Sequence, residues 1–384
     1  MKRQIRVILT TILVAVPLLL SFGGFVEDDG RSKSFNVGKG GTLEVTVDGG
    51  DIRIGVWEKS EVLVKAEGLD ESDLKRLEMT QSGNDVRVEL RSRWGSHSGH
   101  SRFDITVPSQ YNANLHTAGG DIDVRGTLSG TVKGSTSGGD VTLGNVTGGR
   151  VDLSTSGGNM RTGDIQADIR LSTSGGDIEL GSVGGEANVN TSGGNIRVKS
   201  VGKSLKANTS GGNIDIGDVG GEAKVSTSGG DIKVRKVTGS ATLSTSGGDI
   251  ELGGASGSVK AHSSGGNLKL ENITGSIDGS TSGGDVSAEL RPTGKGRSKL
   301  SSSGGEITLS IPEDAKATVE ATIRIQGWGR HDNEYTVHSE FKADTYDKRG
   351  DPDEIRAVYK LNGGGELIEL RTVNSDINIK KLHK

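Results

Sequence analysis

Residues 186–205 read EANVNTSGGNIRVKSVGKSL, and their pattern decides the fold. Ala187, Val189 and Thr191 alternate with Asn188, Asn190 and Ser192. Past Gly193, Gly194 and Asn195, the apolar Ile196 and Val198 alternate with Arg197 and Lys199, and Val201 follows. Alternation at period two describes two short strands, each with one buried face. The Gly-Gly-Asn between them predicts a sharp turn, since glycine takes positive φ cheaply and Asn or Asp tolerates it.

The unit recurs. Gly-Gly pairs begin at 119, 138, 157, 175, 193, 211, 229, 247, 265, 283 and 304, at intervals of 19, 19, seven of 18, and 21. Seven equal intervals are a structural period. In register, Ile178, Ile196, Ile214, Ile232, Ile250 and Leu268 form one apolar column, and Leu171, Val189, Ala207, Val225, Leu243 and Ala261 another. Short units without helical crossovers can pair each strand only with its counterpart in the next unit. The expectation is an all-β, single-chain parallel β-solenoid (β-helix) of about ten 18-residue coils, roughly 50 Å long, with irregular β caps at both ends. An antiparallel meander is the rival. It would alternate the character of successive turns, whereas every unit here carries the same turn.

Composition agrees with a narrow core. Of 384 residues, 63 are Gly, 31% are apolar and 3% aromatic, too little bulk for an ordinary globular interior. The whole chain carries −4. Lys2, Arg3 and Arg6, with no acid before residue 27, leave the remainder at −7. A mildly acidic, mixed-charge body argues against nucleic acid as a partner. With no cysteine, neither disulfides nor a lipid-bearing Cys enter the account.

Residues 1–26 form the targeting segment. Three cations precede the uncharged run 7–26, with Ser21, Gly23 and Gly24 near its end and Glu27 just after it. This is the layout of a secretory signal peptide, or of an N-terminal anchor if it stays uncleaved. The N-terminal β segment and cap, 27–116, holds strands at 42–47, 51–56, 61–66 and 85–90 and a short helix near 70–79, and Asp48-Gly49-Gly50-Asp51-Ile52 resembles a divergent repeat turn. The repeat solenoid occupies 117–310. In the C-terminal β segment and cap, 311–384, Trp328, Tyr335, Phe341, Tyr346 and Tyr359 supply bulk to cover the last coil. Asp104-Ile105-Thr106-Val107-Pro108 and Leu309-Ser310-Ile311-Pro312 read as a duplicated strand–Pro element.

The TSGGDI and TSGGNI repeats, the approach FDITVPSQYNANLHTAGGDIDV and the ending IELRTVNSDINIKK together resemble the DUF4097 family over roughly residues 34–384. Its members are β-strand-repeat proteins grouped as adhesins of bacterial envelopes and surfaces. The ending has Ser375 where the family pattern has Gly. The resemblance implies the fold and an adhesin-like role; a fold alone confers no activity.

Candidate chemistry concentrates at the turns. Gly175, Gly176, Asp177, Gly193, Gly194, Asn195, Gly211, Gly212, Asn213, Gly229, Gly230, Asp231, Gly247, Gly248 and Asp249 form a structural turn ladder, extended by Asp121, Asp140, Asn159, Asn267 and Asp285. Carboxylates one strand spacing apart could share calcium. Four of the ten ladder positions are Asn, however, and the calcium nonapeptide spacing is absent, so turn chemistry is preferred. Thr173, Thr227 and Thr245 point inward, leaving outward Ser rows as a candidate face for glycan or ice. His97 and His100 beside Trp94 make at most half a metal site, His262 is a surface substitution, and Gly363-Gly364-Gly365 lacks the Lys-Ser/Thr of a phosphate loop. No catalytic, cofactor or metal residue is expected. Two functions stay open. One is a non-catalytic exported envelope or cell-surface scaffold binding a protein or glycan. The other is a carbohydrate-active β-helix enzyme, which needs paired carboxylates on a groove.

Overall fold

The structure is a computed structural model that describes residues 30–91, 101–293, 296–326, 335–351 and 353–382, apart from the side chains of 348–351. The leader 1–26, the Trp94, His97 and His100 cluster, and Trp328 lie outside the described residues.

The period-two pattern of residues 186–205 becomes two strands, Ala187–Asn190 and Ile196–Val201. Ala187, Val189, Ile196, Val198 and Val201 are buried. Alternation breaks after Val198, where Lys199 and Ser200 both face outward. The chain turns a corner there, and Val201 enters the core as a third column with Val183, Val219 and Val237.

Every repeat strand pairs parallel with its counterparts in the neighbouring units. Ile178, Ile196, Ile214, Ile232, Ile250 and Leu268 are successive Cα partners. So are Leu171, Val189, Ala207, Val225, Leu243 and Ala261. The chain is a parallel β-solenoid, and the antiparallel rival is excluded through the repeat. Register is strongly held. A one-residue slip would expose the inward set, and each buried Ile, Leu or Val side chain stabilises by about 1.5–3 kcal/mol.

Among the described residues, the two strands of each unit feed two open sheets of 17 and 18 strands that enclose one core. Antiparallel strands cover the ends. Ser32–Asn36 and Glu61–Glu67 lie beyond Arg102–Pro108 in one sheet. In the other, Glu78–Ser82 covers Asp85–Leu90, and Glu354–Leu361 with Thr345–Asp351 covers Ala317–Arg324. Setting aside these two and three cover strands leaves fifteen parallel layers in each sheet, about 67 Å at the usual strand spacing. The repeat supplies the expected run of about ten coils, from Ile122–Ser129 to Ile307–Ile311, and the irregular flanking segments add layers at both ends.

Those extra layers stack out of chain order. The layer of Thr42–Val47 and Asp51–Trp57 sits between that of Asp85–Leu90 and Arg102–Pro108 and the first repeat layer, which begins with Asn112–Thr117. At the other end, Glu366–Val373 lies between Arg297–Ser302 and Ala317–Arg324, and Ile377–Lys381 between Ile307–Ile311 and Val337–Ser339. The two strand–Pro segments mark these crossings. After Pro108 and again after Pro312 the chain passes over one layer before pairing anew. Proline, with no N–H to donate, suits the point where a strand must stop.

One local expectation is corrected. The helix near 70–79 is confined to Glu71–Leu74, where Asp70 accepts the Asp73 N–H at 2.8 Å. Met79 is instead buried in strand Glu78–Ser82, which pairs with Asp85–Leu90. Of the C-terminal aromatics, Tyr359 is buried, Tyr335 and Phe341 are partly buried against the core, and Tyr346 is exposed.

Candidate functional site

The Gly-Gly-Asp/Asn turns stack into a column held by two side-chain ladders. The inward Thr191 hydroxyl accepts the Gly194 N–H at 3.3 Å and donates to the Gly176 carbonyl of the preceding layer at 2.9 Å. The same donation recurs at Thr173, Thr209, Thr227, Thr245 and Thr281, with a serine at Ser263 and Ser302. It reaches Thr117 on Gly50 at one end and Thr372 on Gly305 at the other. The residues that bear these hydroxyls are buried, and most of them satisfy a carbonyl that is itself buried.

The second ladder uses the turn acids and amides. Asn195 donates its backbone N–H to Asp177 Oδ1 at 2.7 Å, and Asn213 donates to Asn195 Oδ1 at 2.9 Å. Asp231, Asp249, Asn267 and Asp285 continue it, each N–H bonding the side-chain oxygen one layer back. Asp121, Asp140, Asn159 and Asp177 do the same from Asp51 onward. The ladder ends where the Glu306 N–H meets Asp285 Oδ1 at 2.8 Å. Asn and Asp both serve because each step needs a side-chain oxygen, and at Asn159 and Asn195 the amide also donates to the Asp one layer back. Among the described residues, no three His, Cys, Asp or Glu side chains are grouped to hold a metal ion.

The glycines act differently from the expected backbone freedom. Gly175, Gly176, Gly193, Gly194, Gly211, Gly212, Gly229, Gly230, Gly247 and Gly248 all lie outside the left-handed region. What they supply is closeness. A Cβ on Gly194 would fall 2.0 Å from the Gly176 carbonyl oxygen, and on Gly212 it would fall 2.1 Å from that of Gly194. The first glycine of each pair is less confined: a Cβ on Gly193 would stand 3.4 Å from Gly175 O. Recurrence of the pair in every unit was visible in the sequence, but the two positions look alike there and only stacking separates them.

The outward faces differ in charge. On the longer-stranded face Arg161, Glu179, Arg197, Asp215, Lys233, Glu251 and Lys269 are neighbours in register and alternate in sign. Arg161 pairs with Glu179 at 2.9 Å, and Glu251 with Lys233 at 3.1 Å and Lys269 at 3.7 Å. The Lys233 hydrogen bond, aided by Lys269, holds the Glu251 carboxyl below its usual range. The opposite face carries the outward row Ser172, Asn190, Asn208, Ser226, Ser244, His262 and Ser280. Asn208 donates to Asn190 Oδ1 at 2.9 Å, Ser226 donates to Asn208 Oδ1 at 2.8 Å, and His262 Nδ1 lies 2.9 Å from Ser280 Oγ. Beside this row, two residues earlier on the same strands, stand Lys206 and Lys224, and beyond them Asp168, Glu186 and Glu222 line the same volume of about 610 Å³. Gly363 and Gly364 take positive φ in the connection between Glu354–Leu361 and Glu366–Val373.

A family model described as Toastrack DUF4097 matches residues 41–219 and 202–353. Among solved structures, a candidate adhesin from Bacteroides fragilis NCTC 9343 shares 13% identity, covering 91% of this chain and 96% of its own at a TM-score of 0.19. A candidate cell adhesion protein from Clostridium sporogenes ATCC 15579 shares 10%, covering 92% and 99% at 0.16. A candidate lipid binding protein from Parabacteroides distasonis ATCC 8503 shares 14%, covering 73% and 92% at 0.25. No curated protein matches the chain significantly.

Proposed function

We propose, from the premise that this chain belongs to the Toastrack DUF4097 family, that it is a non-catalytic, adhesin-like β-solenoid of the cell envelope or surface. It would hold long, ordered side-chain rows toward a protein or glycan. One observation carries this reading. The densest array of acidic and amide side chains has its Oδ1 atoms bonded to the backbone of the next layer, step after step. A glycosidase instead needs two carboxylates facing one another across a bound sugar. Here the turn acids build the rod, and the faces present hydroxyls, amides and charges of both signs.

In this reading residues 1–26 deliver the chain out of the cytoplasm, as a cleaved signal peptide or as an anchor. The test has two arms. The whole protein is incubated with purified envelope and cell-wall fractions for sedimentation, and with the same polysaccharides for release of reducing ends. Saturable attachment without reducing ends is the expected result. Steady release of reducing ends would replace this reading with the carbohydrate-active enzyme. Cell fractionation follows location, and a chain confined to the cytoplasm would overturn the envelope assignment.

A further inference from the structure

The two outward faces have different charge patterns, and the difference points to a ligand. On the shorter-stranded face, one row runs in register through Arg170, Asn188, Lys206, Lys224, Thr242 and Lys260. It holds four cations and no carboxylate, and it ends where Asp152 and Asp278 flank it. The parallel row from Ser172 to His262 holds Ser, Asn and one His. Arg170, Lys206, Lys224 and Lys260 are exposed. Of these, Lys260 alone has a carboxylate partner among the described residues, Asp278 at a loose 4.0 Å. On the other face over the same layers cations and anions alternate down the row, with ion pairs at Arg161–Glu179, Lys233–Glu251 and Lys269–Glu251. Three cations without an ion pair among the described residues, and a fourth loosely paired, align on a rigid strip about 24 Å long. Asp168, Glu186 and Glu222 border it, and the row itself presents only positive charge to a negatively charged polymer.

We infer that this strip binds a linear anionic polysaccharide. The inference rests on the proposed scaffold role and names its partner. The strip's rungs recur at the strand spacing, close to the advance of one pyranose in an extended chain. Arg170 and Lys206 are two rungs apart, Lys206 and Lys224 one, and Lys224 and Lys260 two, so the match is to the polymer's charge rather than to one disaccharide period. The neighbouring Ser and Asn side chains offer donors and acceptors to sugar hydroxyls. Nucleic acid fits less well. Its charge density is far higher, the chain is acidic overall, and no aromatic side chain stands among the rungs for bases to stack on.

The test is affinity electrophoresis of the full chain in gels containing hyaluronate, which alternates uronate and N-acetylhexosamine. Neutral dextran and single-stranded DNA serve as comparisons. Hyaluronate should retard the protein and dextran should not. The triple variant Lys206→Gln, Lys224→Gln, Lys260→Gln should bind at least about tenfold more weakly. The triple Arg197→Gln, Lys233→Gln, Lys269→Gln, with the same loss of charge on the opposite face, should bind as the parent does. Equal weakening by both triples would overturn the inference, as would DNA retarding the protein as strongly as hyaluronate. Failure to bind hyaluronate while envelope fractions are still bound would refute this ligand and leave the scaffold reading standing. Absence of both would remove the scaffold reading itself.

Discussion

Replacing Gly194 by Ala should damage the solenoid far more than replacing Gly193, although the two are adjacent and identical in sequence. A Cβ on Gly194 would sit 2.0 Å from Gly176 O and 2.4 Å from Gly176 C. Both atoms are backbone, so no side-chain rotation can relieve the overlap. The layers would have to part by more than an ångström at that corner. Three bonds cross the same boundary: Thr191 Oγ1 to Gly176 O at 2.9 Å, Asn195 N–H to Asp177 Oδ1 at 2.7 Å, and Ile178 N–H to Asn195 O at 2.8 Å. Losing two of them costs about 1–3 kcal/mol, and residual overpacking adds about 1–3 kcal/mol. The expected penalty is therefore about 4 kcal/mol. For Gly193→Ala the new methyl stands 3.4 Å from Gly175 O, a tight but ordinary contact. The reduced freedom of the unfolded chain returns about 0.4–1 kcal/mol, so its net effect should stay within about 1 kcal/mol of zero. Urea unfolding, with amide exchange at Ile178 and Ile196 as the local probe, measures both. Equal penalties, or a Gly194→Ala cost below about 1 kcal/mol, would refute the close-approach account.

The hydroxyl ladder predicts that Thr191→Val, nearly the same shape, loses about 1–3 kcal/mol by leaving the Gly176 carbonyl without its partner, while Thr191→Ser keeps most of the stability, as Ser263 does in its own layer; urea midpoints separate the two. Deleting the whole unit 193–210 should give a shorter folded rod by circular dichroism, whereas deleting 193–201 reverses inward and outward positions and should abolish folding. Burial pushes the Tyr111 phenol up to about 12, and the phenol donates to the Asn84 carbonyl. The unfolded chain ionises first, so stability should be flat below pH 10 and fall between pH 10 and 12 by about 2–3 kcal/mol. Tyr111→Phe should flatten that part of the profile, and an unchanged slope would contradict the assignment.

The repeat was legible because its signals are local. Period-two alternation names the inward residues, and an 18-residue period leaves parallel stacking as the consistent arrangement. The inward places of Thr173, Thr227 and Thr245 follow from the same alternation. What the sequence concealed is contact between layers. Nothing in the spacing of Gly193 and Gly194 says that one faces a carbonyl and the other does not. Nor does it show that Glu366–Val373 slots between Arg297–Ser302 and Ala317–Arg324, since such pairings join segments about 50–70 residues apart. The helix near 70–79 was overestimated because propensity favoured it while the pairing of Met79 with Val88 drew that end into a sheet. The charge contrast between the two faces could have been read by writing the units beneath one another, column by column.

The central claim, parallel layers in register with the C-terminal strands inserted before the last layer, can be tested by paired cysteines in a chain that has none of its own. Lys206→Cys with Lys224→Cys probes neighbouring repeat layers, and Ser310→Cys with Lys380→Cys probes the inserted one. A short bis-thiosulfonate should cross-link both pairs rapidly and within single molecules, while the offset pair Lys206→Cys with Thr242→Cys, two layers apart, should lag far behind. Equal rates for the offset pair would contradict the register, and failure of the Ser310–Lys380 pair would contradict the inserted layer.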